Sequence, residues 1–273
     1  MSIHPTAVIE PGAKFGQDVS VGPYSIIGEH VALGDGCSVG AHCVLEGYTT
    51  IGSNNHFYTG VAIGGIPQDL KYQKGQKTFL EIGNNNNFRE YVTVNTGTLK
   101  GEETTRIGNN VHIMAYSHIA HNCVIRDGVI IANGGTLGGH VEIGEKAIVG
   151  GLVGIHQFVR VGKLSIIGGV SKVVQDVVPF ATVDGHPARV YGLNRIGLER
   201  AGIKNDIQKM LKHAFVLLFR SGFSRSDALL RIEKECGSNP ELKELIDFVR
   251  TSERGICSRV RGREKEVSWK DSD

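Results

Sequence analysis

The chain has 273 residues, and 40% of them are hydrophobic, which is enough to bury a substantial core in one large domain or two smaller ones. Its 30 Lys and Arg residues nearly balance 28 Asp and Glu residues, and this balance excludes nucleic-acid binding driven by bulk charge. Five cysteines without a Cys-x-x-Cys pair, no signal-like N-terminus and no run of 18 apolar residues predict a cytoplasmic protein with reduced thiols and no membrane insertion.

Apolar residues recur at every sixth position through most of the chain. The repeat runs over 3–63, resumes over 82–94 and continues over 107–173. An amphipathic helix would repeat every 3.6 residues, whereas a solenoid of short strands repeats with the length of one side of its coil. The pattern therefore predicts a coil of short parallel β-strands in which each of these apolar residues points inward.

A second inward position, two residues before each apolar position, is mostly occupied by small side chains. Cys37, Cys43 and Cys123 occupy it. Because a buried free cysteine packs as a small apolar residue, these three are predicted to be core residues rather than reactive thiols. Two inward positions in every six, separated by polar residues and often followed by glycine, are typical of a solenoid with tight corners.

Two segments interrupt the repeat. Residues 66–80 (IPQDLKYQKGQKTFL) and 100–106 (KGEETTR) are rich in charged and polar residues and lack the six-residue period. Loops that leave a rigid scaffold often carry binding or catalytic residues. We therefore expect these two excursions to lie near a functional site.

After the last repeat, the sequence changes to helical patterns. The segment NDIQKMLKHAFVLLFRSG places apolar residues on one side of a helix, and Ser224 with Asp227 resembles a capping box at the start of another. The final residues, RVRGREKEVSWKDSD, contain few apolar anchors. The sequence therefore predicts a β-solenoid over 1–186, an α-helical domain over 187–256 and a flexible tail over 257–273.

The spacing of histidines along the solenoid indicates a site. If three hexapeptides close one coil, residues 18 apart lie above one another at a strand spacing of ~4.8 Å. His121, Gly139 and Gln157 form such a column. A histidine close to a backbone amide and a polar side chain supplies a base and hydrogen-bond donors, which suits acyl transfer. Three more histidines lie beside the column: His118, His140 and His156.

Four motifs make a family resemblance specific: HIAHNC, LGGH and IHQF within the repeat, and PQDLKY in the first interruption. With the helical C-terminal patterns, they resemble the UDP-N-acetylglucosamine O-acyltransferase family of hexapeptide-repeat enzymes, from residue 1 to about residue 256. The resemblance implies a left-handed parallel β-helix and a homotrimer. It also implies transfer of a 3-hydroxyacyl chain from acyl carrier protein to the 3-hydroxyl of UDP-N-acetylglucosamine at the start of lipid A synthesis, without metal, cofactor or covalent acyl-enzyme.

The same resemblance implies roles for individual residues. His121 corresponds to the general base, and the backbone amide of Gly139 to the group that holds the oxyanion. Gly169 corresponds to the position that limits acyl-chain length, where the absence of a side chain leaves room for a long chain. The residues implied to bind substrate are Gln68, Asp69, Lys71, His118, His140, Gln157, Asn194 and Arg200.

Three positions depart from the pattern of the family. Asn122 stands where many relatives carry Asp, so an ionised partner for His121 is absent at this position. Asn95 occupies a place often taken by His, and Ala201 follows Arg200 where many members have a second Arg. The last two changes affect the nucleotide-sugar side of the site.

Two other functions compete with this interpretation. The N-acyltransferase of the same pathway also uses a hexapeptide solenoid and acyl carrier protein, but it normally carries a uridine-binding domain before its solenoid, whereas the repeats here begin at Ile3. A γ-carbonic-anhydrase-like zinc enzyme would set three histidines across a subunit boundary, for which His112, His118 and His121 are the candidates. Their spacing of six and three differs from the pattern of that family.

Overall fold

The computed structural model describes residues 1–73, 75–236 and 239–259. Within them the chain forms 28 short strands followed by four helices. The strands are β1 Ser2–Ile3, β2 Val8–Ile9, β3 Lys14–Phe15, β4 Ser20–Val21, β5 Ile26–Ile27, β6 Ala32–Leu33, β7 Ser38–Val39, β8 Val44–Leu45, β9 Tyr48–Ile51, β10 His56–Phe57, β11 Ala62–Gly65, β12 Phe79–Ile82, β13 Asn87–Phe88, β14 Thr93–Asn95, β15 Thr104–Ile107, β16 His112–Ile113, β17 His118–Ile119, β18 Val124–Ile125, β19 Ile130–Ile131, β20 Thr136–Leu137, β21 Glu142–Ile143, β22 Ile148–Val149, β23 Gly154–Ile155, β24 Arg160–Val161, β25 Ile166–Ile167, β26 Lys172–Val173, β27 Ala181–Gly185 and β28 Ala188–Leu193. The helices are α1 Arg195–Arg200, α2 Asn205–Phe219, α3 Arg225–Glu235 and α4 Pro240–Arg250.

The strands stack into three sheets that form the sides of a triangular coil. Successive strands go to successive sheets, which we call face 1 (β1, β4 and onward to β25, β27 and β28), face 2 (β2, β5 and onward to β26) and face 3 (β3, β6 and onward to β24). All pairings are parallel except the last, between β27 and β28. Residues 18 apart are partners across most of the coil, as Ser20 and Ser38 are on face 1.

The six-residue pattern corresponds to the inward residues of these strands. In nearly every two-residue strand the first side chain points outward and the second is buried, so the apolar residues at every sixth position fill the centre of the coil. Cys37, Cys43 and Cys123 are fully buried, which confirms them as core residues. Burial raises the pKa of the Cys123 thiol to about 12, so it stays protonated and unreactive at neutral pH.

Both excursions leave the coil between face 2 and face 3. On face 1, His56 pairs with Asn87, which follows it by 31 residues instead of 18, and on face 2 Thr93 pairs with His118 after 25 residues. The first excursion lies between β11 and β12 at residues 66–78, and the second between β14 and β15 at 96–103, since residues 79–80 and 104–106 belong to strands β12 and β15. Because the extra residues leave at a corner, the sheets continue in register on either side of them.

The coil ends in a β-hairpin rather than directly in helices. Strands β27 and β28 pair antiparallel and extend face 1, so the expected boundary after residue 186 falls inside this hairpin and the helices begin at Arg195. Hairpin strands lack the six-residue period, which is why the pattern ended early. In the predicted capping box, the Ser224 hydroxyl accepts a hydrogen bond from the backbone N–H of Asp227.

The helical part is fastened to the last coils by a buried ion pair. The carboxylate of Asp176, 1% exposed, lies 3.6 Å from the Arg160 guanidinium, which also stacks on the Phe248 ring of α4. Residues 257–259 belong to this junction, since Cys257 is buried and its N–H donates to the Asp176 carbonyl. The rest of the predicted flexible tail, 260–273, lies outside the described residues. No helix in the described ranges is long and apolar enough to cross a membrane.

Candidate active site

The predicted column of residues forms one corner of the coil, between faces 2 and 3. The backbone N–H of His140 donates to the His121 carbonyl at 3.0 Å, and the N–H of Phe158 donates to the Gly139 carbonyl at 3.0 Å. These bonds stack three consecutive coils, so His121, Gly139 and Gln157 lie above one another as the 18-residue spacing predicted. We call this edge corner 2–3.

The imidazole of His121 is held through one of its two nitrogens. Its Nδ1 lies 2.8 Å from the side-chain oxygen Oδ1 of Asn122. This oxygen can only accept a hydrogen bond, so Nδ1 carries the proton and the neutral ring keeps a lone pair at Nε2. The expected loss of an ionised partner is therefore real, but an amide oxygen orients the ring in place of a carboxylate.

Gly139 lies directly against the imidazole of His121. A Cβ at this glycine would be 2.5 Å from the His121 Cε1 atom and 2.6 Å from Nε2. Real atoms do not approach so closely, so only glycine leaves the ring in its observed position. The N–H of Gly139 makes no hydrogen bond within the described part of the chain. It is therefore free to bind an oxygen atom that arrives next to the His121 ring.

An open groove runs from this corner across face 2. It has a volume of about 500 Å³ and is mainly apolar, with its floor formed by outward residues of β17, β20, β23 and β26. Gly154 lies in the middle, and a Cβ added there would meet nothing within 4 Å. The groove therefore exists partly because this strand lacks a side chain. Its lining residues include His118, Thr136, Gly139, His156, Gln157 and Lys172.

Two further histidines pack close to His121. Burial, and then the charge of His121, lower the pKa of His118, whose Nδ1 lies 2.8 Å from the Thr93 hydroxyl. The pKa of His140 is lowered by burial and then by His121 and Lys100, while Asp69 opposes the shift. Both rings are therefore neutral at neutral pH and are suited to hydrogen bonding rather than to charge pairing.

Aromatic packing fixes the orientation of His140. Its ring stacks on Phe158 with centroids 4.6 Å apart and meets the His121 ring edge-on at 5.2 Å. On the next coil, the Nδ1–H of His156 donates to the Gln157 carbonyl at 3.1 Å, which leaves Nε2 as an acceptor in the neutral ring. The side chain of Gln157 itself is exposed at the groove.

The predicted residues of the first excursion approach the same corner. Asp69 is close enough to His140 to raise its pKa, and its carboxylate accepts a hydrogen bond from the Lys71 N–H at 2.9 Å. Gln68 and Lys71 have exposed side chains. Asn95 is 7% exposed, and its amide nitrogen donates to the Ile66 carbonyl at 3.0 Å, which ties this excursion to face 2.

Three predicted residues lie away from His121 within a single chain. The Asn194 side chain caps α1 by accepting from the Gly197 N–H and donating to the Leu164 carbonyl, so both of its ends are occupied. Arg200 is exposed at the end of α1, beyond the last strands of face 1. Gly169 lies at the corner between faces 1 and 2, where an added Cβ would be 3.3 Å from the Gly151 carbonyl oxygen.

Four residues of the site were not predicted from the sequence: Thr98, Thr136, Gly154 and Lys172. The last three follow His118 at intervals of 18 residues, so the coil length would have found them. Thr98 follows no repeat. It belongs to the second excursion, and only the folded loop brings it to Asn122.

The three histidines of the zinc hypothesis do not converge. His112 points outward from face 1 on β16, whereas His118 points outward from face 2 on β17. In the described part of the chain, no group of three or more His, Cys, Asp or Glu side chains could hold a metal ion. This arrangement does not fit a three-histidine zinc site made by one chain.

Comparisons with known proteins agree with this architecture. A profile of bacterial transferase hexapeptides matches residues 12–47 and 104–139, and a profile described as UDP N-acetylglucosamine O-acyltransferase, domain 2, matches residues 176–257. The crystal structure of UDP-N-acetylglucosamine O-acyltransferase from Moraxella catarrhalis has a TM-score of 0.90 and 40% identity over 94% of this chain and 99% of its own. The UDP-N-acetylglucosamine acyltransferase from Campylobacter jejuni has a TM-score of 0.90 and 38% identity over 95% of this chain and 100% of its own.

The fold and the histidine corner define a hexapeptide-repeat acyltransferase with a left-handed parallel β-helix and a small helical C-terminal part, which confirms the predicted fold class. A curated relative from Thiobacillus denitrificans, named acyl-[acyl-carrier-protein]–UDP-N-acetylglucosamine O-acyltransferase, is 46% identical over 93% of this chain and 98% of its own length. The chain belongs to the UDP-N-acetylglucosamine O-acyltransferase family. The N-acyltransferase alternative is therefore not favoured.

Proposed function

We propose that the protein transfers a 3-hydroxyacyl chain from acyl carrier protein to the 3-hydroxyl of UDP-N-acetylglucosamine, the first step of lipid A biosynthesis. The observation that carries this proposal is the His121 ring, which has a protonated Nδ1 bound to Asn122, a free Nε2 and the unpaired N–H of Gly139 beside it. A base and an oxyanion donor next to a groove are what acyl transfer to a hydroxyl requires.

In the reaction, Nε2 of His121 removes the proton of the sugar hydroxyl as its oxygen attacks the thioester carbon. The new carbon–oxygen bond forms, and negative charge collects on the former carbonyl oxygen, where the Gly139 N–H donates to it. The carbon–sulfur bond then breaks, and the imidazolium returns its proton to the sulfur of the carrier thiol. His121 therefore ends the cycle as it began, and the mechanism uses no metal or other cofactor.

The acyl chain would occupy the groove on face 2. Its mainly apolar lining suits a hydrocarbon chain, and the exposed Gln157 supplies a polar group for the 3-hydroxyl of the acyl chain. The neutral rings of His118 and His140, with Asp69 and Lys71 on the first excursion, would bind the sugar and its phosphates. Lys71 is exposed and can reach a phosphate as a flexible point charge.

A homotrimer would complete this site, and the charge of the three faces supports it. The outward positions of face 3 include Lys14, Glu81, Arg106, Glu142 and Arg160, whereas those of face 1 from β1 to β25 carry no Asp, Glu, Lys or Arg and those of face 2 only Lys172. The corner shared by these two sparsely charged faces exposes a row of large apolar side chains: Tyr24, Tyr91, Tyr116, Leu152 and Val170. Exposed apolar rows of this kind indicate an interface.

With this corner towards a threefold axis, face 1 of one chain would cover face 2 of the next. The outward Ile130, Ile148 and Ile166 of face 1 would then form the second wall of the acyl groove. Gly169 and Arg200, which lie away from His121 in their own chain, would reach the site of a neighbour. A site shared between two chains would therefore explain why Gly169 and Arg200, which the family resemblance assigns to the site, lie away from His121 in a single chain.

A cytoplasmic location also follows from this proposal, because acyl carrier protein and nucleotide sugars are cytoplasmic substrates. The five cysteines are free and buried in the described part of the chain, which is consistent with a reducing compartment.

The test is an assay of the purified protein with UDP-N-acetylglucosamine and a panel of 3-hydroxyacyl carrier proteins of different chain lengths. We expect a product whose mass equals that of the sugar nucleotide plus one 3-hydroxyacyl group, with the ester on the 3-hydroxyl. Transfer to none of the donors, or acylation of a nitrogen, would contradict the proposal.

A further inference from the structure

Because residue 122 is Asn and not Asp, its side-chain amide must face His121 with its oxygen rather than its nitrogen. A carboxylate presents two equivalent oxygens, but an amide presents an oxygen on one side and an NH₂ group on the other. If the amide rotated by half a turn, the NH₂ group would face Nδ1 of His121 and could only donate to it. The proton would then move to Nε2, and the ring could no longer remove a proton from a hydroxyl.

Thr98 contacts both ends of the Asn122 amide. The Thr98 backbone N–H and hydroxyl both donate to Oδ1, at 2.9 Å and 2.8 Å. The Thr98 carbonyl accepts a hydrogen bond from the Asn122 Nδ2 at 3.3 Å. Both residues are buried, Thr98 at 5% exposure and Asn122 at 7%.

This set of contacts selects one orientation of the amide. In the rotated orientation, the Thr98 N–H would face NH₂, and the Thr98 carbonyl would face the amide oxygen. The Thr98 hydroxyl would also lose its acceptor at 2.8 Å and keep only the Lys100 carbonyl at 3.4 Å, so the hydroxyl contributes to the preference. Each such mismatch leaves buried polar groups without partners, which is unfavourable because the groups have lost their hydrogen bonds to water and gained none in return. The observed orientation satisfies all of them and also offers Oδ1 to His121.

The backbone of the second excursion is itself held in place. The N–H of Gly97 donates to the Phe79 carbonyl at 3.1 Å, and the Thr96 hydroxyl accepts from Thr78 at 3.1 Å. An added Cβ at Gly97 would lie 2.3 Å from the backbone of Glu103, so the loop turns closely upon itself. Thr98 is therefore presented to Asn122 by a fixed loop.

We propose that Thr98 is a positioning residue that fixes the Asn122 amide and thereby keeps the proton of His121 on Nδ1. The inference rests on the proposed function, since only a base at position 121 gives this tautomer a purpose. Through Thr98, the second excursion thus affects the reaction without contacting the substrate.

The direct test is the tautomer of His121 in Thr98→Val, which keeps the shape of the side chain and removes the hydroxyl donor. In protein labelled with ¹⁵N-histidine, the Nδ1 and Nε2 shifts distinguish the two tautomers, and His121→Gln identifies the signals. We expect the native protein to show the proton on Nδ1 and Thr98→Val to show a mixture. Thr96→Val is the matched control, because it removes a buried hydroxyl of the same loop that does not contact Asn122.

Kinetics give a second readout. Thr98→Val should lower kcat by about three- to tenfold with little change in KM for the nucleotide sugar, which corresponds to the loss of one hydrogen bond. Thr98→Ser retains the hydroxyl and should recover most of the lost rate. In an Asn122→Asp background a carboxylate has no wrong orientation, so adding Thr98→Val should cost less than it does in the native chain.

An unchanged Nδ1 tautomer in a folded Thr98→Val protein would overturn the inference, as would an equal loss of rate in both backgrounds. Thr96→Val changing the tautomer as much as Thr98→Val would also overturn it, because the effect would then belong to loop stability. The tautomer is measured without substrate. A failure of the proposed function would therefore appear in the transfer assay and leave the spectroscopic result intact.

Discussion

The reactivity of His121 depends on which of its nitrogens carries the proton. The Asn122 side-chain oxygen accepts a hydrogen bond from the Nδ1–H, and the absence of a Cβ at Gly139 leaves space for the ring in this position. Substitution of His121 by Ala should therefore lower kcat by about 10²–10⁴-fold while the affinity for the nucleotide sugar changes little, because general-base assistance is of that size. Steady-state kinetics with the carrier-bound donor measure the effect.

The control for this variant is His4→Ala, a histidine in the first coil whose side chain, among the described residues, forms hydrogen bonds only with Thr6. It should keep native activity. A folded His121→Ala protein with most of its transferase activity would contradict the role of the base, although family membership would stand.

The lowered pKa of His118 makes stability depend on pH. The pKa is lowered by burial and by His121, so the folded protein resists protonation there, whereas in the unfolded chain the group titrates near ~6.5. Below about pH 6.5 the unfolded state binds more protons, and the free energy of unfolding should fall as the pH decreases. Denaturant unfolding between pH 5 and 7 tests this, with His118→Gln expected to reduce the pH dependence and the exposed His4→Gln as its control. Part of the dependence should remain, because burial also lowers the pKa of His140.

The regular spacing of the coil places most residues of the site, including Thr136, Gly154 and Lys172, which were not predicted, but it cannot place Thr98. His121, Gly139 and Gln157 were placed together by an interval of 18, which the hydrogen bonds of corner 2–3 reproduce. Thr98 could not be found in this way, because its position depends on how an irregular loop folds. The side chain of Asn194 was matched to substrate, and within one chain its hydrogen bonds serve as a helix cap.

Strand β23 opens the groove on face 2 because Gly154 has no side chain. Gly154→Leu should fill the middle of the groove without disturbing the coil, because an added Cβ meets no atom within 4 Å. Transfer of a long 3-hydroxyacyl chain should fall by at least about tenfold, corresponding to overpacking of 1–3 kcal/mol, while a short chain loses less. Competition between long and short donors in one assay measures the change in preference.

Thr50→Leu is the control for Gly154→Leu, since it adds a side chain of the same shape to an outward position on face 3. Its donor preference should remain native. If Gly154→Leu reduced long and short donors equally, the acyl chain would not lie in this groove.

Strands and helices whose apolar residues recur at a fixed interval can be predicted from the sequence, whereas elements without such an interval cannot. The strands from Ser2 to Val173 follow from apolar residues at fixed intervals, because each coil repeats the same inward contacts. The hairpin β27–β28 has no such interval, and its sequence was assigned in part to the helical domain. Helix α2 was recovered because its 3.6-residue pattern extends over 15 residues.

At the scale of the assembly, the apolar corner between faces 1 and 2 should hold three chains together. Tyr116 and Leu152 are 68% and 69% exposed in the single chain. Replacing both with Arg should produce monomers in analytical ultracentrifugation and abolish transfer, because charges would be brought together at the axis and the groove would lose a wall. Thr50→Arg with Val124→Arg, on face 3, should remain trimeric. A trimeric, active Tyr116→Arg/Leu152→Arg protein would exclude this corner as the interface.

Charge is distributed unevenly between the two parts of the molecule. Residues 194–259 contain thirteen Lys and Arg against nine Asp and Glu, whereas 1–193 contain thirteen against fifteen. Acyl carrier proteins are acidic, so the exposed Lys212, Arg220 and Arg225 should steer the donor, while Arg231 is already paired with Glu235. We expect kcat/KM for the carrier-bound donor to fall as salt increases from low to high concentration.

The salt experiment needs a donor without the carrier protein as its control, for which an acylated pantetheine thioester is suitable. Its kcat/KM should be less sensitive to salt. Equal sensitivity of both donors would show that screening acts on the nucleotide sugar or on stability, and electrostatic docking would have to be abandoned.

The length of the solenoid can change only in steps of one full coil. Removing 18 consecutive residues between His140 and β26 would shorten the molecule by one rise of ~4.8 Å and leave every remaining side chain on its own face. Removing a single residue would turn inward side chains outward from that point onward. The distance from the base to the helical end can therefore change only in whole steps, and a lineage adjusting that distance would lose or gain entire coils, while insertions of any length remain permitted at the corners.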